Sequence, residues 1–390
     1  MRSFLFSFWL LWLFFPNVSD AQTLQSGADQ MHLYLPGVRG RNIAVVANHT
    51  SRVGTTHLVD TLIACGVKVV KIFSPEHGFR GQADAGQKVG ASVDEKTGIR
   101  IISLYGSHRK PSSADLEGID LVLYDLQDVG ARFYTYLSTL HYVMEACAEN
   151  GLALMILDRP NPNGYFVDGP ILNPALKSFV GMHPVPIVHG MTTAEYAQMI
   201  NGEGWLAGKT TCSLGLILCK GYVHSDPYPV PVNPSPNLKS SLAVWLYPSL
   251  CFFEGTPYSL GRGTEAPFMM YGHPDYPLKD FQFTPESFPG ANQPPLLGEI
   301  CYGRDLRELE PEEVWSWKGI NLSFLLDAYV HHENKSGFFT DYFDQLAGTR
   351  QLKEQIRSGW TEQQIRSSWK KDLDAFKVKR KRYLLYEDFE

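Results

Sequence analysis

No two cysteines in this 390-residue sequence form a C-x-x-C pair, which excludes zinc ribbons and thioredoxin-like redox motifs. The six present, Cys65, Cys147, Cys212, Cys219, Cys251 and Cys301, are too sparse for a disulfide-stapled miniprotein. Their even number permits disulfides without revealing a pairing, and Cys65, Cys147 and Cys219 stand in apolar surroundings that suit small buried hydrophobes. A G-x-G-x-x-G fingerprint is missing after the first strand, where "NHTSRVG" stands instead, so a nicotinamide cofactor has no support. Basic charge is also short. With 35 Lys and Arg against 41 Asp and Glu the formal charge is −6, and no basic face is expected for nucleic acid. The one basic run, "KVKRKR" at 377–382, reads as a solvated charged turn into a last strand. Internal repeats and low-complexity tracts are absent.

Beyond the opening residues, no stretch is apolar for long enough to span a bilayer. The opening itself is different. Arg2 precedes "FLFSFWLLWLFF", and Ser19 and Ala21 follow before Gln22. A basic start, a short apolar core and small residues predict a signal peptide over residues 1–21. The expectation is a protein exported across the inner membrane to the periplasm, with no stable membrane insertion once the signal is removed.

From residue 42 onward, strand and helix patterns alternate. Strands are expected at "NIAVVAN" (42–48), "VKVVKIF" (67–73), "IRIISLY" (99–105), "IDLVLYD" (119–125), "LALMILD" (152–158) and "VPIVHG" (185–190). Between them "THLVDTLIACG" (56–66) has helical spacing. "TYLSTLHYVMEACAENG" (135–151) lines Leu137, Leu140, Val143, Met144 and Cys147 along one stripe, and "TTAEYAQMIN" (192–201) offers Thr192 or Thr193 as a cap. Apolar strands separated by helices imply parallel strands covered on both faces. The expected class is α/β, a Rossmann-like open, mainly parallel sheet over residues 22–255. From about residue 256 Pro and Gly become dense and the alternation fades, which predicts a smaller C-terminal α+β domain over 256–390, closing a cleft.

In an open parallel sheet, ligands gather beyond the carboxyl ends of the strands. Several ends here carry polar groups: Asn48-His49-Thr50 after the first strand and Glu76-His77 after the second. Asp125, Asp128, Arg132, Tyr134 and Tyr136 follow the fourth, Asp158, Arg159 and Asn161 the fifth, and His189 the "VPIVHG" run. A turn or cap role competes at each: Asn161 can serve only its own backbone, and Asp158 can cap a helix. Glu76 is the best candidate, because carboxylates are seldom set at an inward edge without use. A second patch, "FEGTPYSLGRGTEAPF" (253–268), puts Glu254, Tyr258, Arg262 and Glu265 among glycines at the join of the two domains. Arg262 can form a forked pair with a ligand carboxylate.

Taken together, "SPEHGFRG", "DLQDVGARFYTYLSTL", "LDRPNPNGYFVDGPIL", "VPIVHGMTTAEYAQMIN", "YPSLCFFEGTPYSLGRGTEAPF" and "RYLLY" resemble the DUF1343 family. These are exo-acting β-N-acetylmuramidases of the NamZ type, glycoside hydrolase family 171. The resemblance covers nearly the whole chain. It implies a Rossmann-like catalytic domain with a smaller C-terminal domain, and release of N-acetylmuramic acid from the non-reducing ends of peptidoglycan fragments. It also implies that Glu76, in the E-H-G motif, is the catalytic acid. The chemistry agrees, since a carboxyl group in a partly dry cleft can deliver a proton to a bridging oxygen.

The lactyl carboxylate of muramic acid calls for an arginine, and Arg80, Arg132, Arg159 and Arg262 stand on the expected edge. His77, Asp125, Tyr134, Asn161, His189 and Glu265 complete the expected muramyl-saccharide contacts. For the second catalytic group Asp125, Asp128 and Glu265 compete with the substrate's own acetamido group, and Asp128 is preferred because it lies in a glycine-containing loop. No cofactor or metal is needed. Two rival readings are a metal-dependent hydrolase using His49, His77, His189 and Asp125, and an exported glycan-binding protein without activity.

Overall fold

The structure, a computed structural model, describes residues 24–76, 78–79 and 92–390. The expected signal peptide, His77 and Arg80 lie outside the described residues.

A seven-stranded sheet forms the centre. Its strands are β1 (Asn42–Ala47), β2 (Lys68–Ser74), β3 (Ser92–Val93), β4 (Arg100–Ser103), β5 (Leu121–Asp125), β6 (Ala153–Leu157) and β7 (Ser213–Ile217). They lie side by side in the order β3-β4-β2-β1-β5-β6-β7. Every pairing is parallel except that of β3 with β4. From β1 the chain moves outward through β2 to β4, then returns to set β5 against the other side of β1. That reversal is the switch point at which open α/β sheets form a crevice beyond their carboxyl ends.

The sheet is apolar on both faces because successive side chains alternate. Ile43, Val45 and Ala47 join one apolar cluster, with Tyr34 and Val38 of helix α1 (Met31–Val38) and Leu58, Val59 and Leu62 of α2 (Leu58–Ala64). Ala44 and Val46 face the other way. They meet the stripe Leu137, Leu140, Val143, Met144 and Cys147 of α3 (Tyr136–Glu149), and Ala194, Ala197 and Ile200 of α4 (Thr193–Gly202). Thr192 caps α4 in a reciprocal pair with Glu195.

The C-terminal part is smaller. A three-stranded antiparallel sheet, with β8 (Met270–His273), β9 (Gln282–Phe283) and β10 (Cys301–Asp305) in the order β8-β10-β9, packs with helices. These include α5 (Ser323–His331), α6 (Asp341–Ala347) and α7 (Glu362–Arg380). Phe338, Phe343, Leu346, Ile365 and Trp369 continue the same apolar cluster that covers α3. Both parts therefore share one core.

Two strand expectations fail. The run 185–190 makes only isolated bridges, Val188 with Ala131 and with Asp168, because Pro184 and Pro186 have no N–H to donate to a ladder. The closing "RYLLY" is not a strand either. The basic run before it ends α7, and Arg380 is fully buried: its guanidinium donates to the Gly190 carbonyl and pairs with Asp388. Tyr386 then donates to Asp158 and the Leu385 amide to Glu195. The tail is thus bound back onto the N-terminal part by side chains rather than by strand pairing. All six cysteines are free thiols.

Candidate active site

Beyond the carboxyl ends of β2, β4 and β5 lies a cavity of about 420 Å³. Glu76 reaches it from a tight turn. The Gly78 amide donates to the Pro75 carbonyl at 3.3 Å, and Gly78 takes a φ of 81°, a conformation open to glycine but costly for other residues. The Pro and Gly of that loop are therefore the means of presenting its carboxylate. The hydroxyl of Thr135 donates to Glu76 Oε2 at 2.8 Å. Thr135 occupies the N-cap position of α3 but makes no capping bond with its side chain. A cap worth about 1 kcal/mol is forgone, and the hydroxyl orients the carboxylate instead. Tyr105, just after β4, also lines the cavity near Glu76. Burial, and then the charge of Glu76, push its phenol above the ordinary value, which keeps it a donor.

The opposite wall comes from later in the chain: Tyr247, Glu254, Arg262, Phe268, Tyr342 and Gln345. Glu254 lies on a short 3₁₀ turn, Cys251–Gly255. Arg262 grips it, with Nε donating to Oε1 at 3.2 Å and Nη2 bonding the same oxygen. The guanidinium also lies 5.0 Å from the centre of the Phe268 ring. Burial opposes its charge, but the Glu254 carboxylate outweighs that and raises its pKa. The loop carrying Arg262 is tied down at Gly263, where a Cβ would stand 2.3 Å from the Glu286 carbonyl oxygen. Electrostatically, Tyr342 feels both Glu254 and Glu76, although burial is the main cause of its raised pKa. Two carboxylates, Glu76 and Glu254, thus face one cavity from two sides.

Of the expected site residues, Glu76, Tyr134 and Arg262 line this cavity. Tyr134 shows it only a ring, because its hydroxyl donates to the Pro234 carbonyl at 2.8 Å. The others described are engaged elsewhere. Asp125 is wholly buried in a forked pair with Arg159, at 2.5 and 3.0 Å, so neither is available to a sugar. Arg132 spends its guanidinium on four carbonyls: Pro170 and Val185, then Leu346 and Ala347 at the end of α6. It fastens the helix that carries Tyr342 and Gln345. Without a counter-charge, burial brings its pKa down to about 9. Asn161 accepts the Asn163 amide and donates to the Met191 carbonyl, which is the backbone role. Asp158 receives the Ala194 amide in the first turn of α4. The ring of His189 is buried against Tyr196 and accepts the Met191 amide; burial and nearby Arg380 push its pKa to about 3. Glu265 is exposed and not part of the cavity wall.

Asp128, the preferred second catalytic group, is not on the wall either. It is buried, with Oδ1 accepting the Gly130 amide at 2.7 Å and Oδ2 without a hydrogen-bond partner. Burial, partly offset by the backbone bonds, pushes its pKa up to about 7. An acid whose folded pKa exceeds its unfolded value prefers to be protonated in the native state. Its contribution is therefore fully present only below the unfolded pKa of 3.8 and is lost as pH rises towards 7. Asp128→Asn is expected to flatten that part of the stability profile, measured as unfolding temperature against pH. An unchanged slope would contradict the assignment.

Of the metal-site residues of the rival reading, His77 lies outside the described residues and the other three are engaged elsewhere. His49 bonds the Asn233 carbonyl, and His189 and Asp125 are engaged as described. Among the described residues no cluster of three or more His, Cys, Asp or Glu could hold a metal ion.

Sequence patterning alone does not single out Tyr105, Arg109, Thr135 and Tyr342 as site residues, nor Glu254 for catalysis. Glu254 stands in the glycine-rich patch 253–268, while Tyr105 closes the expected strand 99–105 and Arg109 follows it.

The NamZ exo-β-N-acetylmuramidase N-terminal model matches residues 43–242 and the corresponding C-terminal model residues 245–386. The two cavity walls fall in different matched regions. The chain is 36% identical over 380 residues to the peptidoglycan β-N-acetylmuramidase NamZ of Bacillus subtilis (strain 168), covering 93% of this chain and 91% of that one. A DUF1343 family protein of Bacteroides fragilis NCTC 9343 superposes with a TM-score of 0.88 at 47% identity, over 94% of this chain and 99% of that one. A second from the same organism, at 24% identity, shares the fold with a TM-score of 0.77 over 93% of this chain and 99% of its own. The chain belongs to the NamZ exo-β-N-acetylmuramidase family, whose two regions it carries in order.

Proposed function

We propose that this protein is an exo-acting glycoside hydrolase that releases N-acetylmuramic acid from the non-reducing ends of peptidoglycan fragments, with Glu76 as the acid. Kinship with a peptidoglycan β-N-acetylmuramidase supports the reaction. The observation that carries the residue assignment is the single cavity shared by Glu76 and Glu254. Its size suits about one or two sugar rings.

Glycoside hydrolysis needs a proton for the leaving oxygen and a negative group opposite the developing oxocarbenium ion. Glu76, held by Thr135, supplies the proton. Glu254, oriented by Arg262, stabilises the positive charge. Tyr134, Tyr247 and Phe268 give the cavity aromatic surface, against which the apolar face of a sugar packs. Among the described residues no helix is long and apolar enough to cross a membrane. The apolar run near residue 10 supports export to the periplasm, where wall fragments are met.

A defined disaccharide, N-acetylmuramic acid β-linked to N-acetylglucosamine, tests the reading. Mass spectrometry should find both monosaccharides after incubation. An intact disaccharide, with purified protein shown to be folded, would refute the proposal.

A further inference from the structure

Among the described residues, four charged side chains line the cavity: Glu76, Glu254, Arg109 and Arg262. Arg262 is already committed to Glu254. Arg109 has no carboxylate partner among the described residues. It is nevertheless held in a defined place. Its guanidinium carbon lies 4.5 Å from the centre of the Phe179 ring, a stacking arrangement that leaves the guanidinium edge able to donate. Phe179 is itself fixed: its carbonyl accepts the Ser138 hydroxyl at 2.6 Å, and its ring lies near-parallel to Tyr142 at 6.3 Å. Both partners belong to α3, the helix whose first turn also carries the Thr135–Glu76 contact. Arg109 is therefore a positioned cation on the wall that holds the acid.

We infer that Arg109 binds the lactyl carboxylate of the substrate's muramic acid and so sets the preference for muramides over glucosaminides. The inference rests on the hydrolase reading for its substrate. The physical basis is direct. A glucosaminide lacks the carboxylate and leaves the guanidinium without the charge-assisted, forked pair that a muramide supplies. Among the described residues the other cavity charges cannot substitute, since two are negative and the third is paired.

The test compares the parent protein with Arg109→Met and Arg109→Lys. The quantity read is the ratio of kcat/KM for an aryl N-acetylmuramide to that for the matching N-acetylglucosaminide. In Arg109→Met the ratio should fall about ten- to a hundredfold, mainly through KM, with Arg109→Lys in between. Calorimetric binding of free N-acetylmuramic acid against N-acetylglucosamine provides a second readout that needs no turnover. The parent should prefer the acid and Arg109→Met should not. An unchanged ratio and an unchanged binding preference would overturn the inference. Absence of turnover in the parent, with an Arg109-dependent binding preference intact, would sink the hydrolase reading while keeping the carboxylate site.

Discussion

Glu76→Gln should lower kcat on a muramide with a poor leaving group by about 10²–10⁴-fold, while the affinity for the disaccharide stays near that of the parent. Glutamine keeps the shape and can still accept from Thr135, whose hydroxyl is 2.8 Å from Oε2, but it has no proton to give to the bridging oxygen. The effect must therefore depend on the leaving group. An aryl muramide whose phenol leaves readily needs little protonation, and on it the variant should recover much of its rate. Equal loss on both substrates would mean that residue 76 serves binding or folding rather than proton delivery.

Glu254→Gln should behave in the opposite way. If its carboxylate faces the developing positive charge, the loss of about 10²–10³-fold should persist with a good leaving group, because the oxocarbenium-like state is reached whichever group departs. Glutamine is the substitution of choice because its carbonyl can still receive Arg262, which bonds Glu254 Oε1 in the parent. Alanine would leave a largely enclosed guanidinium with no partner and confuse stability with chemistry. Thermal unfolding of the variant provides the control. Full activity in a folded Glu254→Gln would hand the second role to the substrate's own acetamido group.

The sheet was legible because its physics is local. Ile43, Val45 and Ala47 alternate with Ala44 and Val46, so a continuous apolar run signals cover on both faces, and the stripe of α3 repeats at helical spacing. The C-terminal part gives weaker signals, since its strands are two to five residues long and its core is built from scattered aromatics. Glu76 could be singled out from a strand end and two turn-forming neighbours. The fate of the arginines could not. In sequence Arg132, Arg159 and Arg262 are equivalent cations near a polar edge; only three-dimensional packing assigns one to four carbonyls, one to Asp125 and one to Glu254. The same holds for the second carboxylate. Asp128 is close to the right strand end, yet the turn at Gly130 takes its carboxylate inward. Glu254 arrives from a distant part of the chain.

One structure tests the central claim most directly: a crystal of Glu76→Gln holding N-acetylmuramic acid β-linked to N-acetylglucosamine. The account predicts the bridging oxygen within hydrogen-bonding reach of the residue 76 side chain, about 2.6–3.2 Å, with Glu254 across the muramyl ring. A disaccharide seated with its bridging oxygen away from residue 76, or outside the cavity altogether, would contradict it.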